Sequence, residues 1–449
     1  MQRVLVLGGY GAFGRRAVER LARAPGLEVV VAGRDAAAAA AAAGEIKRTT
    51  AAGARIDHAA LDATRLGEAD LRRLGVAIVL NTIGPFQALD YRVARAAIAA
   101  RAHYIDIADA RGFVCGIGAL DPAAQAAGVL VVAGASSVPA LAAAVIDHHR
   151  GRFQRLTHLT YGISPGNSFD PGVATTASIL AGSGQPFTTL IDGRMGNVRG
   201  WQPLVRHSFR TPGLGTRWLG HCDVPDLDLF PKRYPDLVEQ HFLAGVEVKA
   251  FHLALWALSW LVRSGLVRHP DRLASPLLAL KRRLRFLGSD RGIMFAEMSG
   301  HDRRGRALHL VWELVADKGH GPFIPVTPAV ILAKRLAAGA VSRRGAMPAV
   351  GLISLGDFSA EVADLAIRHS TWESPTLHRS VLGVAFDRLP LTVQRLHEVA
   401  GKSVWAGRAQ AERSGSALAR IAAWVVGLRA PGQDLPLEVT FASQAGKEE

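Results

Sequence analysis

The stretch VLVLGGYGAFGRR, Val4 to Arg16, decides how this chain is read. An aliphatic run enters it, and four glycines follow within seven residues, at 8, 9, 11 and 14. Gly9, Gly11 and Gly14 stand at the spacing G-x-G-x-x-G. The first glycine of that pattern permits a tight turn, the second lets the main chain approach a pyrophosphate, and the third lets the following helix pack closely on the strand. A phosphate so placed is held by N–H groups at the positive end of the helix, with Tyr10, Ala12 and Phe13 as the intervening positions of the cradle. The competing reading is a tight turn with no ligand.

The surroundings favour the phosphate. RVLVLGG (3–9) reads as a strand, GRRAVERLARA (14–24) as a helix and LEVVVAGR (27–34) as a second strand, after which Asp35 caps a helix that opens with eight alanines, Ala36 to Ala43. Strands over 54–61, 76–82, 104–108 and 129–134 continue the alternation, with helices over 91–101 and 122–128. Aliphatic strands separated by helices imply a parallel sheet covered on both faces, so residues 1–135 read as a doubly wound α/β domain.

Beyond it, Ser136 or Ser137 with Pro139 starts a helix running to about Arg150. A second, α+β domain is expected over 136–375, with a hairpin over 293–317 that turns at DRRGR (302–306). Within it, Thr327 and Pro328 cap a helix ending at Gly339, and the stretch near 319–345 returns to the first domain. VGLISL (350–355) reads as a short strand. Residues 376–449 form a small C-terminal unit with a helix over 416–428 and a strand over 435–441.

The second strand decides which dinucleotide is bound. An acidic residue about twenty positions past the glycines would accept hydrogen bonds from a ribose 2′-OH, whereas a cation there accommodates a 2′-phosphate. The twentieth position after Gly14 is Arg34, which favours NADP, with NAD as the alternative and Asp35 as the residue that could reverse the choice. Asp62, after the third strand, is placed to meet the adenine. The fourth strand ends in Asn81 and Thr82 and leaves the sheet through Gly84, Pro85 and Phe86, at the edge where open α/β sheets bind ligands; the ribose and nicotinamide belong there.

Composition narrows the partners. Of 449 residues 49% are hydrophobic and 20% charged, a globular balance. The net charge is +15, yet no basic run interleaved with aromatics and no zinc-finger spacing points to nucleic acid, so a small-molecule substrate is expected. Cys115 and Cys222 are too few for a disulfide framework and suit a reducing cytoplasm, and MQRVLVLGG reads as a buried strand rather than a signal peptide. No metal site is expected; His148 and His149 read as surface residues of a helix. A homo-oligomer is compatible with all of this.

FHLALWALSWLV (251–262) is too short to span a bilayer, and LLALKRRLRFLG (277–288) mixes leucines with cations. The favoured reading is a buried helix followed by a solvated one. Its rival is peripheral membrane contact through 251–288, with arginines meeting anionic head groups.

With VLGGYGAFGRR, VAGRD (31–35), NTIGPFQ (81–87), HYIDIAD (103–109) and AGVLVVAGASSVPAL (127–141), the chain resembles the saccharopine dehydrogenase-like oxidoreductases. The terminal FDRLPLTVQRLHE (386–398) with GSALARIAAWVVGL (415–428) looks like the beginning of a DUF4166 domain. The resemblance implies an NAD(P)-binding Rossmann domain, a substrate domain inserted before the chain returns to it, and hydride transfer to or from a C–N bond; the wider class of reaction includes C=C and C=O substrates. The alternative is a binding protein that keeps the coenzyme as a structural or redox-sensing element.

Hydride transfer needs a group to supply or remove a proton. No tyrosine has a lysine four residues later, the pairing that short-chain reductases use; Tyr91 is followed at that spacing by Arg95. The candidates are His320 and Asp317 in ADKGHGP (316–322), and Asp106 and Asp109 at the end of the fifth strand.

Overall fold

Uninterrupted runs of valine, leucine and isoleucine form strands that lose both faces to protein, and Val4, Leu5, Val6 and Leu7 are all fully buried. The computed structural model describes residues 1–50, 53–374, 381–397, 402–411, 432–444 and 447–448. In chain order the first strands are β1 (Gln2–Leu7), β2 (Leu27–Gly33), β3 (Arg55–Ala60), β4 (Ile78–Asn81), β5 (His103–Asp106) and β6 (Leu130–Ala133). They are followed by β7 (Arg155–Ser164), β8 (Pro186–Ile191), β9 (Arg194–Arg199), β10 (Val205–Ser208), β11 (Thr216–His221) and β12 (Glu239–Ala244). Then come β13 (Gly292–His301), β14 (Ala307–Ala316), β15 (Gly345–Pro348) and β16 (Ile367–Ser374).

The first sheet has the order β15-β6-β5-β4-β1-β2-β3, and every neighbouring pair is parallel. β1 has β2 on one side and β4 on the other, so the strand order reverses there and opens a crevice beyond the strands' carboxyl ends. Helices α1 (Gly14–Leu21) and α2 (Ala36–Thr49) follow β1 and β2. The return to this sheet is made by the almost wholly buried helix Thr327–Ala337 and by β15, whose Gly345 pairs with Leu130. Arg20 of α1 locks the returning chain, donating to Glu361 at 3.0 Å and to Asp364 at 2.7 Å.

The second sheet is mixed, with the order β10-β11-β12-β7-β13-β14-β16. β12 runs parallel to β7, whereas β11 runs antiparallel to both of its neighbours, β10 and β12. Two compact units divide the chain. The first, 1–152, 158–298 and 311–372, holds the first sheet and most of the second; the other comprises 153–157, 299–310 and 373–449. In the latter β17 (Lys402–Ala411) pairs antiparallel with β18 (Gly432–Gln444).

Several sequence expectations need correction. Residues 350–355 are not a strand: GAMP at 345–348 takes that place, the chain bends at Gly351 (φ +70°), and Ser354 caps the helix Leu355–Glu361 by accepting from the Asp357 amide. Thr327 is the first residue of its helix rather than the cap, and its hydroxyl donates to the Phe323 carbonyl at 2.8 Å. The turn Ser137–Leu141 is interrupted by an extended Val138, and the regular helix begins at Ala142. His149 is buried, not superficial, and burial pushes its imidazole down to about 4. The helix Lys249–Arg263 buries only His252 and Ser259, the reverse of what its apolar run suggests. The helix expected over 416–428 lies outside the described residues.

Candidate functional site

The glycines leave no room for side chains. A Cβ on Gly14 would stand 2.2 Å from the Gly8 carbonyl oxygen and 2.6 Å from the Thr82 hydroxyl; one on Gly9 would meet the Val6 carbonyl at 2.9 Å. The turn is anchored on β2, because the Gly8 and Gly9 amides both donate to the Ala32 carbonyl, at 2.8 and 3.1 Å. Gly11 donates back to Gly8, at 2.8 Å. The amides of Ala12, Phe13 and Gly14 find no backbone acceptor among the described residues, and they cluster at the start of α1. Orphan donors at the positive end of a helix form an anion site.

Tyr10 and Thr82 support this cradle. The Tyr10 ring lies on Gly33, where a Cβ would stand 2.3 Å from it, and its hydroxyl accepts from the Asp35 amide at 3.3 Å. Thr82 donates its hydroxyl and its amide to the Leu7 carbonyl, at 2.7 and 3.0 Å, and so fixes β4 to the entry of the glycine turn.

At the end of β2, Arg34 is exposed and Asp35 is occupied. The Asp35 carboxylate accepts from the Ala38 amide at 3.0 Å and caps α2. Asp62 accepts from the Thr64 amide and hydroxyl, at 2.9 and 2.8 Å; these bonds, together with the charges of Arg34 and Arg65, hold its carboxyl below the usual range. Two arginines thus flank the edge of the crevice, and the two aspartates there each spend one carboxylate oxygen on local donors.

At the end of β4 the buried Asn81 donates to the Tyr104 hydroxyl at 3.2 Å and accepts from the Ile83 amide at 3.1 Å, which turns the chain toward Gly84, Pro85 and Phe86. Phe86 is buried against Phe113, ring centroids 5.4 Å apart. On the other side of the cradle, Phe13 meets Phe169 at 6.0 Å, so the loop after β7 reaches the glycine turn.

The proton-transfer candidates occupy different environments. Asp106 is fully buried; one carboxylate oxygen accepts from the Ala108 and Gly134 amides, at 3.0 and 2.8 Å, and the other has no partner. Burial outweighs those bonds and the nearby Tyr104 hydroxyl, which also favours the charged form, and pushes its carboxyl up to about 7. Asp109, three residues beyond Asp106, is exposed. The protein packed around it raises its pKa against opposing bonds from its own backbone amide and the Gln87 side chain. Asp317 is bound to Arg291 at 2.6 Å and to Arg368 at 2.5 Å, which hold it ionised. His320 accepts the Ala366 amide on Nδ1 at 2.8 Å, so its neutral form carries hydrogen on Nε2. Asp106 and Asp109 sit together at the end of β5, and Asp317 and His320 together on the loop after β14; these are two separate pairs.

A cavity of about 330 Å³ in the second sheet's domain escaped the sequence reading. It is lined by Thr216, Arg217, Glu247, Ser289 and Arg291, among others. Glu247 accepts from the Asn167 amide and from the Ser289 amide and hydroxyl, at 2.7, 2.7 and 2.6 Å. Arg217 is buried on the Ser164 carbonyl and hydroxyl, both at 2.9 Å. Arg217 on a short strand and Glu247 and Arg291 in loops look like surface residues in sequence, and nothing in their spacing signals convergence.

Residues 4–132 match the family model described as the saccharopine dehydrogenase NADP binding domain. NADP is therefore the coenzyme of this domain, and through it the protein is an NAD(P)-dependent oxidoreductase. Among solved structures, an apo saccharopine dehydrogenase (L-Glu forming) from Saccharomyces cerevisiae aligns at 16% identity and a TM-score of 0.57, covering 83% of this chain and all of that one, which shows a shared fold. A mutant of meso-dapdh from Clostridium tetani aligns at 13% identity and a TM-score of 0.39, over 81% of this chain and 99% of that one. An amine dehydrogenase from Mycobacterium smegmatis aligns at 10% and 0.41, over 78% and 95%. A search of the curated proteins finds no match.

Proposed function

We propose that this protein transfers hydride between NADP and a small molecule at a carbon–nitrogen, carbon–carbon or carbon–oxygen bond. One observation carries the reading: a glycine cradle with orphan amides lies beside a strand that ends in an exposed arginine, while the neighbouring aspartate is occupied as a helix cap. Bound there, NADP supplies or accepts the hydride.

The chain's own residues divide the remaining work. The amides of Ala12, Phe13 and Gly14 hold the diphosphate, and Arg34 with Arg65 meets the 2′-phosphate. Gly84, Pro85 and Phe86 shape the wall for the ribose and nicotinamide end. Asp109, raised in pKa and open to the cleft, gives a proton to the substrate heteroatom or, in the reverse direction, removes it. Asp106 holds the ends of β5 and β6 in register through the Ala108 and Gly134 amides and is a positioning residue. His320, with hydrogen on Nε2, is the second donor candidate, and Asp317 keeps its loop tied to Arg291 and Arg368.

The test is to incubate the full chain with NADPH and a panel of imines, enoyl compounds and ketones and follow the nicotinamide absorbance. Consumption with at least one acceptor, lost in Asp109→Asn while NADPH still binds, supports the proposal. Binding without consumption across the panel would favour a protein that retains the coenzyme without chemistry.

A further inference from the structure

The helix Lys249–Arg263 is built inside out. Its two buried residues are the polar His252 and Ser259; Ser259 accepts from Gln202 at 2.9 Å, and His252 meets the Trp201 ring at 5.5 Å. Its apolar residues face outward, with Leu253, Trp260 and Leu261 each more than two-fifths exposed. The segment that follows continues the same surface: Leu266 is 76% and Phe286 74% exposed, and Leu277 and Leu280 on the helix Ala274–Arg283 are exposed as well. An apolar surface of this extent on a folded domain marks a contact with something else.

Its charge identifies the occupant. Residues 249–288 carry eight lysines and arginines against one carboxylate, Asp271. Lys281 is held by the Asn167 carbonyl at 2.8 Å and Arg282 by Asp170 at 2.7 Å, whereas Arg268, Arg272, Arg283 and Arg285 have no ion-pair partner among the described residues. We infer that this face lies on an anionic lipid surface. Leucine, tryptophan and phenylalanine side chains enter the boundary between head groups and acyl chains, and the free arginines meet the phosphates. Tryptophan suits that boundary because its ring is apolar and its N–H can stay wet, and Arg263 stacks over Trp260 at 4.7 Å. No described helix is long and apolar enough to cross a membrane, so contact is lateral. A second copy fits less well, because a two-fold interface would set the same unpaired arginines against one another.

The surface is joined to the coenzyme loop. Lys281 donates to the carbonyls of Asn167 and Phe169, and Phe169 touches Phe13 in the glycine turn, so a lipid-bound face would steady the wall of the crevice.

The full chain should float with vesicles of phosphatidylcholine and phosphatidylglycerol, fail to float with phosphatidylcholine alone, and be released by high salt. Brominated phosphatidylglycerol vesicles should quench part of its tryptophan fluorescence, a readout that needs no substitution. Each exposed arginine removed, as in Arg283→Ser and Arg285→Ser, should weaken partition about fivefold, with NADPH binding unchanged. Absence of both flotation and quenching with anionic vesicles overturns the inference. So does a dimer in sedimentation that Trp260→Ser with Phe286→Ser dissociates while vesicles stay unbound, because the face then belongs to a second copy.

Discussion

Replacing Asp106 with Asn should change how stability depends on pH. The Asp106 carboxyl is fully buried and pushed up to about 7, chiefly by desolvation, against an ordinary value of 3.8. Between those values the folded protein keeps the proton and the unfolded chain releases it, so the unfolded state binds fewer protons and stability falls as pH rises. From about pH 5 to about pH 8 this group alone costs about 3 kcal/mol. Asparagine cannot ionise, and its carbonyl oxygen can still accept from the Ala108 and Gly134 amides. Its NH₂, however, takes the place of an oxygen that has no partner, which costs about 1–3 kcal/mol at every pH. Asp106→Asn is therefore expected to gain about 3 kcal/mol on the wild type between about pH 5 and about pH 8, and to be equal or more stable at about pH 8. Urea unfolding of both proteins at the two pH values measures it. Glu297, another buried carboxyl at about 7, contributes the same slope to both and cancels in the difference. A stability difference that stays constant between the two pH values would refute the reasoning.

Gly14→Ala drives a methyl group to 2.2 Å from the Gly8 carbonyl, so NADPH affinity should fall at least about tenfold by calorimetry. Arg34→Ala should weaken NADPH about 10- to 100-fold, the range expected for charge-assisted bonds to a phosphate, and leave NADH unchanged. Arg111, whose side chain is 13% exposed, bridges Asp223 at 2.9 Å and Asp228 at 2.5 Å and donates to the Thr188 carbonyl at 2.8 Å. Arg111→Met leaves both acids without it; because the Asp223 and Asp228 side chains are 43% and 38% exposed and can rehydrate, the cost should be about 1–3 kcal/mol in urea unfolding.

Much of the first sheet was legible because one residue pattern serves one purpose there: buried parallel strands are aliphatic on both faces, and glycines mark the one place where backbone must approach a phosphate. β15 escaped because GAMP has no β-branched residue; only its neighbour β6 and the Gly345 turn give it a place. The roles of Asp35 and Asp62 could not be separated in sequence, since an aspartate that caps a helix or closes a turn looks the same as one waiting for a ribose. The environments of Asp106 and Asp109, three residues apart, differ only through what packs on them. The outward face of Lys249–Arg263 was misread because apolar composition sets how much surface seeks cover, not whether this chain supplies it.

NADP binding depends on the amides of Ala12, Phe13 and Gly14 gripping its diphosphate. Isothermal titration of the full chain with NADPH and NADH tests this most directly. Saturable one-site heat with NADPH, weaker with NADH and lost in Gly14→Ala, is the predicted result. No heat with either coenzyme, reduced or oxidised, would contradict it.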